Sequence, residues 1–227
     1  MTAIVSYVLI TGASGGIGSA LCRALPARGF LPVVGYRSDQ QRAEALAQET
    51  GGIALRLDMA SDESIKEAIF QLSSRLTGEK KLVGVVLAAS APPDLLPFSK
   101  LTSRILCDQF FVNVVGSQLL LSEIIKKHFR VSKSGAVVGI LSDAMGDETR
   151  APATGMGAYV IAKTALKSML AVCAAEYPWL HVRTVSPSFT TTNMLNVFDQ
   201  RYLEIAQETK KFLTPKQVAE LILNEIK

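Results

Sequence analysis

YVLITGASGGIGSALCRAL, residues 7–25, decides how the rest of the chain is read. Residues 7–10 are a short apolar run, too short for a helix and suited to a strand buried on both faces. Thr11 and the turn Gly12-Ala13-Ser14-Gly15-Gly16-Ile17-Gly18 follow. Beyond the turn the apolar spacing becomes helical, with Ile17, Ala20, Leu21, Ala24 and Leu25 on one face. A strand, a glycine turn and a helix start in that order form an anion site. Unpaired N–H groups and the positive helix end point over the turn, and glycine lets a pyrophosphate approach the backbone. The glycines at 12, 16 and 18 give T-G-x-x-x-G-x-G rather than G-x-G-x-x-G. By themselves they are also compatible with an ordinary glycine-rich strand-to-helix turn.

Working outward, apolar runs recur at 31–36, 53–57, 82–88, 135–141 and 180–185, each read as a buried strand. Pro32 is tolerated in the second run if it stands at the strand's start. Helical patterns lie between the runs, with Ser38 and Asp39, Ser61, and Thr214 as N-cap types. Thr214-Pro215 with Gln217 predicts a capping box for the last helix. The region 101–129 reads as a long helix whose pattern is interrupted near Asn113 and Gly116. Residues 188–213 read as a loop-rich stretch. Strict alternation of strand and helix, without repeat or linker, predicts one domain over 1–227. Its fold class is α/β, a Rossmann-like doubly wound parallel sheet with helices on both faces and strand order 3-2-1-4-5-6.

The 227 residues are 48% hydrophobic, in short runs, and no uninterrupted apolar stretch is long enough to span a bilayer. No charged leader with a separate apolar segment precedes the first strand, so a cytoplasmic protein is expected. Cys22, Cys107 and Cys173 are widely spaced in apolar helical patterns and read as reduced thiols, with no metal site. The net charge of +4 comes from scattered Lys and Arg. Lys126, Lys127 and Arg130, the densest group, sit near a helix C-terminus where cations are favoured. Neither a nucleic-acid nor a membrane partner is expected.

Ligands of such a sheet bind beyond the carboxyl ends of the strands. The residues there are 11–18, Tyr36-Arg37-Ser38, Asp58, Ala88-Ala89-Ser90, Ser142 and Ser186-Pro187. Tyr159 and Lys163 are four apart and share a helix face. An ammonium beside a phenol lowers the phenol's pKa and makes it a proton donor and acceptor near neutrality. A half-buried tyrosine with a surface lysine one turn on would show the same spacing. Ser142 adds a hydroxyl at the same crevice.

With these residues assembled, the chain resembles the short-chain dehydrogenase/reductase family in its short single-domain form, from about residue 7 to the last helix. Thr11, Gly12, Gly16 and Gly18 match its glycine motif, Asp58 its adenine-contacting aspartate and Asn113 its helical asparagine. Ser142 matches its serine, Tyr159 and Lys163 its Y-x-x-x-K, and Pro187 and Thr192 part of its proline–glycine–threonine motif. It departs at Leu87-Ala88-Ala89-Ser90, where the family has N-N-A-G, and at Ser188, which replaces a glycine. The loop between Ser142 and Tyr159 is longer, and the family's final strand is missing.

The resemblance implies a carbonyl–alcohol oxidoreductase, 3-oxoacyl-reductase-like. Tyr159 would exchange the proton, Ser142 would hold the oxygen, Lys163 would grip the ribose and tune Tyr159, and Asn113 would support a water. The cofactor would lie along Gly12, Ser14, Gly16, Ile17, Gly18, Asp58, Met59, Ala88, Ala89, Ser90, Tyr159, Lys163, Pro187, Phe189 and Thr192. The acidic residue that would bind a ribose 2′-hydroxyl after the second strand is missing, with Tyr36-Arg37-Ser38 in its place, and Arg37 and Ser38 suit a 2′-phosphate, so NADP(H) is expected. A dinucleotide-binding sensor or scaffold, and a sugar-nucleotide epimerase or dehydratase, are the alternatives. The substrate would be a small carbonyl or alcohol compound with an apolar or acyl portion, free or carrier-linked. Leu95, Leu96, Phe98, Met156, Phe189, Met194, Leu195 and Phe198 would surround it. Leu106, Phe110, Met169 and Cys173 lie on the helices through which the family dimerises, so a homodimer is expected, with a tetramer as the alternative.

Overall fold

The computed structural model describes residues 4–226. Its strands are β1 (Val5–Ile10), β2 (Phe30–Tyr36), β3 (Ile53–Arg56), β4 (Lys80–Leu87), β5 (Ala136–Ile140) and β6 (His181–Val185). All pair in parallel in one six-stranded sheet of order β3-β2-β1-β4-β5-β6. The helices are α1 (Gly16–Ala24), α2 (Gln40–Thr50), α3 (Asp62–Arg75), α4 (Ser103–Ser132), α5 (Gly157–Glu176), α6 (Gln200–Thr209) and α7 (Pro215–Leu223).

The alternation of side chains along a strand sorts the core into two layers. Tyr7 and Leu9 of β1 pack with Ile65, Ile69 and Leu72 of α3, Leu120 and Phe129 of α4, and Leu166 and Leu170 of α5. Val8 and Ile10 face the other way, against Leu21 and Leu25 of α1, Leu46 of α2, and Val218 and Ile222 of α7. A strand covered by helices on both faces must be apolar at every position, which is why β1 reads as an unbroken run. Removing one of these buried leucines would cost about 2–5 kcal/mol.

Local chemistry sets the element ends. Asp39 caps α2 by accepting the Arg42 N–H, and Ser61 caps α3 by accepting that of Ser64. Thr214 and Gln217 form the reciprocal capping box at the start of α7. Pro32 is the third residue of β2, not its start. It is accommodated because β3 pairs with β2 only from Val33 onward, so no ladder bond requires its missing N–H.

Two features refine the sequence reading. Helix α4 is continuous through the expected interruption, absorbing it in a wide turn at Phe111–Val115, with a second at Ile125–Phe129. Residues 188–213 are not all loop, because α6 forms there. Asp199 caps it through the N–H groups of Arg201 and Tyr202. None of its residues is buried, so it lacks the fully inward stripe that would have marked it. By length and averaged composition α4 and α5 are apolar enough to cross a membrane, although charged residues interrupt both. In this fold each lays one face on the sheet.

Candidate active site

The site opens at the carboxyl ends of the strands, in a cavity of about 650 Å³. A hollow of about 860 Å³ lies along the β3 edge among Gln40, Arg56 and Arg75, and Ser142, Tyr159 and Lys163 do not line it.

At one end of the cavity stands the glycine turn. Gly12 has φ +62, and a Cβ there would lie 2.9 Å from Ala89 Cα, so the turn and the end of β4 touch backbone to backbone. The hydroxyl of Thr11 accepts the N–H groups of both Ala88 and Ala89 at 2.9 Å and ties β1 to the chain leaving β4. A Cβ on Gly16 would meet the Thr192 methyl at 2.5 Å, so the loop after β6 closes directly over the helix start. Gly15 supplies no side-chain cap, which leaves the first N–H groups of α1 free of a local acceptor. Those groups, the helix dipole and the absent Cβ atoms fit a pyrophosphate. Arg37, Ser38, Asp58 and Met59 continue the lining beside them.

At the other end Ser142 ends β5 and Tyr159 and Lys163 project from α5. Both residues of α5 are buried, with Lys163 2% exposed. The hydroxyls of Tyr159 and Ser142 face the same cavity, close enough for the serine to influence the phenol. Lys163 Nζ donates to Ile140 O at 2.9 Å and stands 5.6 Å from the Tyr159 ring centroid. Burial pulls the lysine down to about 7, so its ammonium is held only weakly near neutrality. Burial also raises Tyr159, partly offset by the nearby Ser142 hydroxyl and reinforced by the Asp143 charge. The expected lowering by the lysine is therefore not what the structure has. Loss of water around the phenol is the largest influence, and it favours the neutral hydroxyl.

The expected residues Gly12, Ser14, Gly16, Ile17, Gly18, Arg37, Ser38, Asp58, Met59, Ala88, Ala89, Ser90, Ser142, Tyr159, Lys163, Pro187, Phe189 and Thr192 all line this cavity. Asn113 does not. It is fully buried behind the wall in the wide turn of α4, with its Oδ1 making no hydrogen bond. Of the apolar loop residues, Met156, Phe189, Met194, Leu195 and Phe198 reach the cavity, whereas Leu95, Leu96 and Phe98 do not. Leu96 bridges to Met156, and Phe98 is 81% exposed. Met169 and Cys173 pack on the core, and the most exposed apolar residues of α4 and α5 include Phe111, Val115, Ile161 and Val172.

Sequence reading missed Arg42, Asp143, Tyr202 and Lys210, which also line the cavity. Arg42 stands one turn into α2, a position the N-cap assignment could have flagged. Tyr202 and Lys210 were hidden by the unrecognised α6. Rings of Phe189, Phe198, Tyr202 and Phe212 stack there, and Lys210 Nζ sits 5.3 Å over Phe189.

Residues 6–202 match the family described as short chain dehydrogenase. The chain belongs to that family. Among relatives of this short chain dehydrogenase, the 2,3-dihydro-2,3-dihydroxybenzoate dehydrogenase of Escherichia coli is 29% identical over 231 residues, 95% of this chain and 87% of that protein. A 3-oxoacyl-[acyl-carrier-protein] reductase of Staphylococcus epidermidis is 26% identical over 197 residues, 83% and 76% of the two chains. The solved 3-ketoacyl-(acyl-carrier-protein) reductase of Brucella melitensis, complexed with NADH, shares the fold at a TM-score of 0.86. That match covers 99% of this chain and 91% of that one at 21% identity. The protein is thus an oxidoreductase of a family that binds a nicotinamide cofactor and acts between CH–OH and C=O groups.

Proposed function

We propose that this protein is an NADPH-dependent reductase that converts a ketone with a substantial apolar or acyl portion into the secondary alcohol. The observation that carries this reading is the convergence of Ser142, Tyr159 and the buried Lys163 on the cavity of the uncapped glycine turn. The bound nicotinamide supplies the hydride. Tyr159, neutral and desolvated, donates its hydroxyl proton to the carbonyl oxygen. Ser142 holds that oxygen in line and polarises it. Lys163 has two N–H donors beyond the one spent on Ile140 O, one for the ribose and one toward the proton path. The unpartnered Asn113 Oδ1 suits an acceptor for a water on that path. Phe189, Phe198, Met156 and Tyr202 supply an apolar wall for the substrate body. The test is a screen of apolar ketones, acyl thioesters and small polar ketones for oxidation of NADPH and NADH. No turnover with any of them would refute the reading. Fastest turnover with the small polar ketones would refute the substrate class.

The preference for NADPH is supported by Arg37, Ser38 and Arg42 on one wall, with Asp39 engaged as the α2 cap through the Arg42 N–H. Two guanidiniums facing a 2′-phosphate add charge-assisted bonds worth about 1.5–3 kcal/mol each. Arg37→Glu with Arg42→Glu should therefore weaken NADPH by at least about tenfold and leave NADH nearly unchanged in a fluorescence titration. Equal losses for both cofactors would overturn the preference.

We further read the protein as a soluble cytoplasmic homodimer, because Phe111 and Val115 of α4 and Ile161 and Val172 of α5 leave apolar side chains exposed on the two helices. Light scattering at micromolar concentration should give twice the chain mass, and Phe111→Glu with Val172→Glu should halve it. A monomeric wild type would refute the assembly.

A further inference from the structure

We infer that Gln109 is a positioning residue for this site, fixing the Asn113 amide and the cavity wall at Pro92 through one side chain; the inference rests on the reductase reading above. Gln109 lies on α4 just before the wide turn and is 1% exposed, outside the cavity lining. A buried glutamine is costly unless its amide is bonded at both ends, and here it is. Nε2 donates to Pro92 O at 2.7 Å, and Oε1 accepts from Asn113 Nδ2 at 3.2 Å. The backbone oxygen of Gln109 also accepts from Asn113 Nδ2, at 2.9 Å.

This pattern determines which way Asn113 points. Its amide nitrogen faces two acceptors, so the flipped orientation would set oxygen against oxygen. Oδ1 is therefore held on the opposite side, as a buried acceptor without a protein partner. The other end of Gln109 pins Pro92, which lines the cavity directly after Ala88, Ala89, Ser90 and Ala91. One residue away from Asn113, Val112 lines the cavity as well. The side chain of Gln109 thus holds the wall and, together with its backbone oxygen, orients the acceptor behind it. Wide turns of this type are frequent at functional sites, where they re-aim a side chain.

The test compares wild type, Gln109→Met and Gln109→Glu in NADPH-dependent reduction and in a nitrogen–proton correlation spectrum of side-chain amides. The Asn113 signal is assigned by its loss in Asn113→Ala. Methionine keeps the volume and removes both bonds, and glutamate keeps an acceptor for Asn113. Misplacement of a reacting group by about 1 Å costs on the order of a hundredfold. The Gln109→Met variant should therefore lose about ten- to a hundredfold in kcat, with the KM for NADPH moving less than about threefold. Its Asn113 amide protons should exchange faster with solvent. Gln109→Glu, which keeps the acceptor for Asn113 but loses the donor to Pro92 O, should retain the amide signal and lose less kcat than Gln109→Met. Gln109→Asn, one methylene short, should behave as Gln109→Met does and replaces it should that variant not fold. A Gln109→Met enzyme with kcat within about twofold of wild type, or with an unchanged Asn113 signal, would overturn the inference. If the wild type reduces no carbonyl, the reductase reading fails. The positioning role then stands if the Asn113 signal is lost in Gln109→Met and kept in Gln109→Glu, and falls if the two variants are alike.

Discussion

Tyr159→Phe loses about a hundred- to ten-thousandfold in turnover, the usual worth of a positioned general acid, while NADPH affinity stays within about threefold. The ring keeps its place in a site where Tyr159 is 8% exposed, so packing against Ala144, Met156 and Val160 is retained. What disappears is the hydroxyl, the donor to the carbonyl oxygen. Ser142 Oγ still accepts the Ala144 N–H at 3.2 Å, so the serine remains anchored. Stability should therefore change by only about 1 kcal/mol. Steady-state rates on the best carbonyl, a fluorescence titration of NADPH and a thermal melt read the three quantities. An unimpaired Tyr159→Phe enzyme would remove Tyr159 from the chemistry, whatever Lys163 does.

Lys163→Met should likewise abolish turnover, and it should also weaken NADPH, because the ribose contact goes with the ammonium. Its second signature is in stability. Burial brings the lysine from 10.5 down to about 7 in the folded chain. Between those two values the unfolded chain binds a proton that the folded chain has released, so wild-type stability rises with pH across the interval. Below about 7 the folded protein bears the full cost of a buried ammonium. Methionine fills similar space without that cost, although Ile140 O loses the bond from Nζ, worth about 1 kcal/mol. The variant should therefore be more stable than wild type by roughly 2–4 kcal/mol near pH 6, since each tenfold loss of proton affinity on folding costs about 1.4 kcal/mol. The advantage should shrink as pH rises through 8 and 9 toward the unfolded value. Tyr159, raised by burial, would destabilise both proteins at still higher pH and cancels from the difference. Denaturant melts across this range decide the matter. An advantage that stays constant with pH would mean that Lys163 is not an easily neutralised buried lysine.

Much of this site is legible in the residues themselves. Thr11, Gly12, Gly16 and Gly18 carry local requirements, because a tight turn feeding an uncapped helix needs those residue types whatever surrounds it. The six apolar runs and their alternation with helices lead to one topology under the rules of right-handed crossover, and β3-β2-β1-β4-β5-β6 follows. Tyr159 and Lys163 share a face through helical spacing alone. Asp39, Ser61 and Thr214 announce their helices through hydroxyl or carboxylate chemistry that is local in sequence.

Other properties exist only once distant segments meet. Nothing near Lys163 in sequence says that Ile140, 23 residues away, accepts its hydrogen bond or that burial carries it to about 7. Helical spacing leads one to expect the tyrosine lowered by that lysine, and it is raised by burial, because desolvation depends on every segment packed around the phenol. Helix α6 is invisible in the sequence because it buries no residue, and Tyr202 and Lys210 at the cavity mouth are hidden with it. Gln109 looks like any polar residue of a helix until Pro92, 17 positions earlier, supplies the carbonyl that holds it. Local spacing thus determined which groups this chain brings to its crevice. Burial, and bonds between segments far apart in sequence, determined their protonation and orientation, because solvation and hydrogen-bond geometry belong to the packed chain.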